Sequence, residues 1–159
     1  MSDIHLEDPI CWTYWAWAGS SLALTLANIG SAYGTAKAGM GIASMSVTRP
    51  HLAFKAIVPV IMAGILSIYG LIISVLITQG VKNEGDKSGP AVAAKALCAG
   101  LACGLSQVAS GYAIGLVGED GVLSYGKNEN VFVALILILI FAEVLGLYGM
   151  IVAIIMQLG

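Results

Sequence analysis

Residues 131–158 read VFVALILILIFAEVLGLYGMIVAIIMQL, an apolar stretch in which the only charged residue is Glu143. A helix needs about 20 apolar residues to cross the hydrocarbon core of a bilayer, so this stretch is predicted to span a membrane with Glu143 near mid-depth. Placing an ionised side chain there costs about 2.5–3.5 kcal/mol even on lenient insertion scales, which makes an intramembrane acid a candidate functional residue. A carboxyl that is neutral in lipid and ionised beside water or a cation can carry a proton.

The composition of the whole chain indicates an integral membrane protein. Of its 159 residues, 58% are hydrophobic and only 10% are charged, which is too apolar for an ordinary soluble domain. The net charge of -2 leaves no basic patch, so nucleic acid is not a predicted partner. Cys11, Cys98 and Cys103 form no C-x-x-C pair, and no cluster has metal-ligand spacing, so neither a metal nor a redox site is predicted.

Four apolar segments predict an all-α protein with four transmembrane helices, at about residues 11–45, 52–79, 91–116 and 131–158. The first and third are rich in Gly, Ala and Ser, which allow helix backbones to approach closely in a membrane. Polar residues 80–90 separate two halves, and residues 118–130 are predicted to form a loop. Within that loop, residues 121–128 nearly match a phosphate-binding glycine motif, but Asn128 replaces the required Ser or Thr and no strand precedes it. No cofactor is therefore predicted.

A shift of 79 residues superposes the two halves of the chain without gaps. The shift matches Ser31 with Ser110, Tyr33 with Tyr112, Tyr69 with Tyr148, and Gly70 with Gly149. These matches predict an internal duplication into two parallel helical hairpins, residues 1–80 and 81–159. The shift also pairs Asn28 with Gln107, which we interpret as a buried amide in each half.

The duplication is broken at the acid, because Glu143 falls on Gly64. Only the second hairpin therefore carries an acid at this position of the repeat. If many copies form a closed rotor, each turn moves fewer protons than a ring with one acid in every hairpin, and each ATP can work against a steeper gradient.

Three motifs resemble the proteolipid c subunits of eukaryotic vacuolar-type proton ATPases. They are ILIFAEVLGLYG at residues 138–149, AGILSIYG at residues 63–70 and NIGSAYGTAK at residues 28–37. The resemblance covers nearly the whole chain and implies a rotor ring built from copies of this chain and further c-type proteolipids. It also implies that Glu143 exchanges its proton at the a subunit of the stator, that the ring docks on the d subunit of the central stalk, and that other subunits hydrolyse ATP.

The same resemblance implies a multi-pass protein of a vacuolar or other acidic-organelle membrane. Both termini would then lie in the lumen, and the 1–2 and 3–4 loops in the cytosol; the positive charges in the loops do not decide the orientation themselves. Tyr69, Ser67 and Tyr148 are candidate hydrogen-bond partners of the acid.

Two other functions remain open from the sequence. Related sodium-carrying rotors have a Thr-Gln pair where this chain has Ile65 and Leu66, and without those oxygen ligands a proton is favoured over sodium. A structural four-helix pore or junction component, in which Glu143 only bonds between helices, is the alternative from a different class.

Overall fold

The computed structural model describes residues 9–84 and 89–159. Four long helices account for most of them: α1 is Pro9–Thr48, α2 is Val58–Glu84, α3 is Pro90–Lys127 and α4 is Phe132–Leu158. Short turns of 3-10 helix at Pro50–Leu52, Lys55–Ile57 and Glu129–Val131 lie between them. The predicted all-helical fold with four helices is confirmed.

In the described part of the chain, three helices are long and apolar enough to cross a membrane, within the segments Lys55–Lys82, Pro90–Lys127 and Glu129–Leu158. Helix α1, although it has 40 residues, is not among these three. It packs most extensively against α3 and also lies against α2. Much of α1 is therefore in contact with other helices of the bundle.

Helices α1 and α3 approach each other backbone to backbone along a line of glycines. A Cβ atom on Gly30 would collide with the carbonyl oxygen of Gln107, and one on Gly111 would collide with that of Gly30. Gly19 and Gly100 are related in the same way nearer the start of α1. In lipid there is no hydrophobic driving force for helices to associate, so close approach of small residues provides the packing energy instead. The predicted tight packing of these two helices is confirmed.

The apolar core falls into two clusters on either side of a polar layer. One cluster includes Leu66, Ile114, Tyr125 and Leu139, and the other includes Ile73, Ile77, Cys103 and Ala153. On α3, the buried polar residues Gln107 and Ser110 lie between the two clusters. Glu143 of α4 lies at the level of this layer.

Helix α3 continues to Lys127, so the prediction of an end near residue 116 and a loop over residues 118–130 is wrong. Val122 and Tyr125 are buried in this extension, and the Tyr125 ring packs against Phe132 with centroids 5.0 Å apart. Glu119 forms an ion pair with Lys37 of α1 at 3.0 Å. These contacts offset the weak helix propensity of the glycines here, and the near-match to a phosphate-binding loop lies almost entirely within a helix.

The second helix starts at Val58, later than the predicted residue 52. The chain after Pro50 forms two 3-10 turns, and Pro59 becomes the second residue of α2. A proline lacks an N–H group and is tolerated in the first turn of a helix but not in its interior. Helix α2 then runs to Glu84, into the predicted polar connection, of which residues 85–88 lie outside the described part of the chain.

Candidate functional site

Glu143 lies near the middle of α4, as the twelfth of its 27 residues. Its neighbours Ala142 and Gly146 face the core, whereas Phe141 and Leu145 are exposed. Glu143 itself is half-buried, so its carboxyl lies at the edge of the buried face of α4 and not in the hub of the bundle. A carboxyl in this position can be reached from outside the four helices.

Tyr69 of α2 is the residue that contacts this carboxyl. Its hydroxyl donates a hydrogen bond to Glu143 Oε1 at 3.3 Å. Within residues 9–84 and 89–159, no other hydrogen bond reaches the Glu143 carboxyl and no Lys, Arg or His pairs with it. The acid therefore has one neutral partner and no cation from the described part of its own chain.

The other two residues predicted to support the acid make no hydrogen bond to it. Ser67 donates to the carbonyl of Gly64 on its own helix at 2.8 Å. Tyr148 is 59% exposed, and its hydroxyl has no hydrogen-bond partner among the described residues. Of the three candidates, only Tyr69 hydrogen-bonds to Glu143 in the structure.

A buried polar layer lies beside the Glu143 turn, and the sequence reasoning missed its role. Ser110 Oγ donates to the carbonyl of Ala142 at 2.7 Å, and Gln107 Nε2 donates to that of Gly146 at 2.9 Å. Both donors are completely buried. A Ser and an amide three residues apart on one face of α3 are a sequence signal for a polar layer, but they do not indicate which carbonyls the layer meets.

The interpretation of Asn28 and Gln107 as equivalent buried amides is wrong. Gln107 is completely buried, whereas Asn28 is exposed. Helix α3 packs against all three other helices, while α1 packs mainly against two. The duplicated sequence therefore places equivalent positions in different surroundings.

Gly64 of α2, the counterpart of Glu143, lies in open space. A Cβ atom built on it would meet no atom within 4 Å. The next two residues, Ile65 and Leu66, are apolar, and Leu66 is fully buried. Among the described residues, no group of three His, Cys, Asp or Glu side chains could hold a metal ion.

Comparison with known proteins identifies the family. The model of the ATP synthase C subunit family matches residues 18–77 and again residues 97–156. The 16 kDa proteolipid c subunit of the V-type proton ATPase of Ovis aries is 51% identical over 145 residues, covering 91% of this chain and 92% of that protein. The chain belongs to the V-type ATPase proteolipid c family.

Further members of this family match along almost the whole chain. The 16 kDa proteolipid of the V-type proton ATPase of Rattus norvegicus is 49% identical over 157 residues, covering 99% of each chain. The corresponding V-type proton ATPase c subunit of Candida tropicalis is 47% identical over 157 residues, covering 99% of this chain and 94% of that one. The two matches to the family model begin 79 residues apart, which is the offset of the internal repeat. The resemblance read from residues 28–37, 63–70 and 138–149 is confirmed.

Proposed function

We propose that this chain is a rotor subunit of a V-type proton ATPase and carries one proton per chain on Glu143. The observation that carries this proposal is the half-buried carboxyl in the middle of α4, which has a hydroxyl partner in Tyr69 and no cation beside it in the described residues. A carboxyl without a cation is most stable in its neutral form when it faces lipid. A cation supplied by another subunit would favour the ionised form and release the proton.

The chain contributes binding and release of the proton, and not ATP hydrolysis. The proton is held on a Glu143 oxygen while α4 faces lipid, and the Tyr69 hydroxyl orients the carboxyl by donating to Oε1. When the carboxyl meets the fixed cation, which we assign to the a subunit of the stator, the proton leaves. Further rotation returns the carboxyl to lipid, after it has taken up another proton.

The assembly is proposed to be a ring of copies of this chain with further c-type proteolipids. The small-residue helices α1 and α3 suit the narrower inner circle, since their backbones are in close contact. Exposed apolar side chains on α2 and α4 suit an outer circle in contact with lipid; among them are Ile61, Ile68, Leu137 and Phe141. The α1–α2 and α3–α4 connections would face the cytosol and the d subunit of the central stalk, in the membrane of a vacuole or other acidic organelle.

Replacement of the acid tests this function. Glu143→Gln keeps the size and most of the hydrogen-bonding capacity of the side chain but cannot release a proton at neutral pH. ATP-driven acidification of vesicles that contain the assembled variant complex is expected to be abolished, while the ring still forms. Asp120→Asn, which changes an exposed acid within α3 and away from both connections, is the matched control and is expected to acidify normally. Acidification by the assembled Glu143→Gln complex would show that the carrier is another group.

A further inference from the structure

Two hydrogen bonds join α3 to the turn of α4 that contains Glu143. Ser110 Oγ donates to the carbonyl of Ala142, one residue before the acid, at 2.7 Å. Gln107 Nε2 donates to the carbonyl of Gly146, three residues after the acid, at 2.9 Å. The two donors are three residues apart on α3 and the two acceptors are four residues apart on α4, so both pairs lie on facing surfaces.

These bonds are additional to the backbone bonds of α4. In an α-helix, the carbonyls of Ala142 and Gly146 already accept bonds from the N–H groups four residues further on. Satisfying the backbone of α4 therefore does not require Ser110 or Gln107. Together, the two hydrogen bonds fix the rotation and the axial position of α4 relative to α3. A single bond would leave α4 free to pivot.

Steric contacts act at the same place. A Cβ atom on Gly146 would collide with Gln107 Oε1 and with the Leu66 side chain. Rotation of α4 that turned Glu143 and Met150 toward α3 would replace Gly146 with larger side chains at Gln107. This contact therefore opposes inward rotation of the acid, which in the structure is half-buried and beside Tyr69.

The amide oxygen of Gln107, Oε1, is buried and has no hydrogen-bond partner among the described residues. This indicates that the amide serves the hydrogen bond to the Gly146 carbonyl and not packing. A buried acceptor without a partner is unfavourable, and a methionine would fill nearly the same volume without that cost. The amide is nevertheless in place, and its Nε2 donates to the Glu143 turn.

We propose that Ser110 and Gln107 are positioning residues, which hold the α4 turn of Glu143 in the rotation that presents the carboxyl to Tyr69. They act through the backbone of α4 and do not touch the proton. Their role in transport rests on the proposed function of Glu143, whereas their effect on the geometry of the carboxyl does not.

The test uses Ser110→Ala and Gln107→Met in the assembled complex, with Ser106→Ala as the matched control. Ser106 is on the same helix and packs against Gly149 of α4, but its hydroxyl donates within α3, to the carbonyl of Cys103 at 2.7 Å. The first readout is the infrared C=O stretch of the neutral Glu143 carboxyl in the detergent-extracted ring, identified by its loss in Glu143→Gln. The second is ATP-driven acidification per assembled complex.

Both positioning variants are expected to move the C=O band toward its position in Tyr69→Phe, because the carboxyl loses its bond to the hydroxyl. Acidification is expected to fall by up to about fivefold, which is the effect of losing the Tyr69 hydrogen bond itself. Ser106→Ala is expected to change neither readout. If a positioning variant does not assemble, Ser110→Cys keeps the volume with a weaker donor and is expected to shift the band in the same direction.

A wild-type band and wild-type acidification in assembled Ser110→Ala, Gln107→Met or Ser110→Cys would overturn the positioning role. An equal band shift in Ser106→Ala would also overturn it, because the effect would then be one of packing in general. Acidification that survives Glu143→Gln would instead refute the proton carrier, while the band would still report on the positioning of the carboxyl.

Discussion

At the scale of single residues, the contact between Tyr69 and Glu143 determines how the acid is presented to its surroundings. The hydroxyl donates at 3.3 Å, and Tyr69 itself is half-buried in α2. Because a neutral hydroxyl can bond either form of the carboxyl, it can orient the acid without trapping the proton. Tyr69 is therefore suited to an orienting role and not to the exchange itself.

Tyr69→Phe is expected to weaken transport without abolishing it. A hydrogen bond of this kind contributes about 1 kcal/mol, so loss of the orienting contact should reduce ATP-driven acidification about fivefold. Tyr148→Phe is the matched control, because Tyr148 occupies the equivalent place in the repeat but its hydroxyl has no partner in the described residues. Equal acidification rates in the two variants would contradict the orienting role of Tyr69.

Glu143 could be predicted from the sequence because it is the only charge in a long apolar stretch. Gln107 and Ser110 could not be predicted as its neighbours, because both donate to backbone carbonyls of another helix. Backbone carbonyls are the same at every position and leave no mark in the sequence. Only the packing of α3 against α4 selects which carbonyl each side chain meets.

At the scale of helices, the contact between α1 and α3 depends on glycines that leave no room for a side chain. Gly111→Ala would place a methyl group against the carbonyl of Gly30. Overpacking of this kind costs about 1–3 kcal/mol, so the ring extracted in detergent is expected to dissociate at a lower temperature than the wild type.

Gly39→Ala is the control for this experiment. A Cβ atom at Gly39, in α1, would meet nothing within 4 Å, and replacing a helical glycine with alanine stabilises a helix by about 1 kcal/mol. The Gly39→Ala ring is therefore expected to be at least as stable as the wild type. Equal thermal stability of the Gly39→Ala and Gly111→Ala rings would contradict the close approach of α1 and α3.

The ends of the helices were harder to predict than their number. Gly118 and Gly121, with two acids between them, have the composition of a loop. Helix α3 nevertheless passes through them, because Val122 and Tyr125 are buried and Glu119 reaches Lys37. Partners for these residues come from α1 and from the start of α4, and contacts between distant segments are not visible in local composition.

At the scale of the whole molecule, the two hairpins have the same plan, but only the second has an acid in the middle of its second helix, where the first has Gly64. Gly64→Glu would supply two carriers per chain instead of one, and a Cβ atom at Gly64 would meet no atom within 4 Å. The free energy of each ATP would then be divided among more protons. The limiting pH gradient in sealed vesicles is therefore expected to be lower than in the wild type.

Gly64→Gln is the matched control, because it adds a side chain of the same size without an acid. The assembled Gly64→Gln complex is expected to retain the wild-type gradient. A Gly64→Glu complex that pumps to the wild-type gradient would refute this account.

The glycine line between α1 and α3 also limits how this chain can diverge over generations. Enlarging Gly30 alone strikes the Gln107 carbonyl, and enlarging Gly111 alone strikes the Gly30 carbonyl, so no change of side chain on the opposite helix can make room. Divergence at these sites would require the helices to separate together in every copy of the ring. Across lineages, Gly39 is accordingly expected to vary while Gly30 and Gly111 stay unchanged. Inherited variants that enlarge Gly30 or Gly111 are expected to impair assembly even when the second allele is normal.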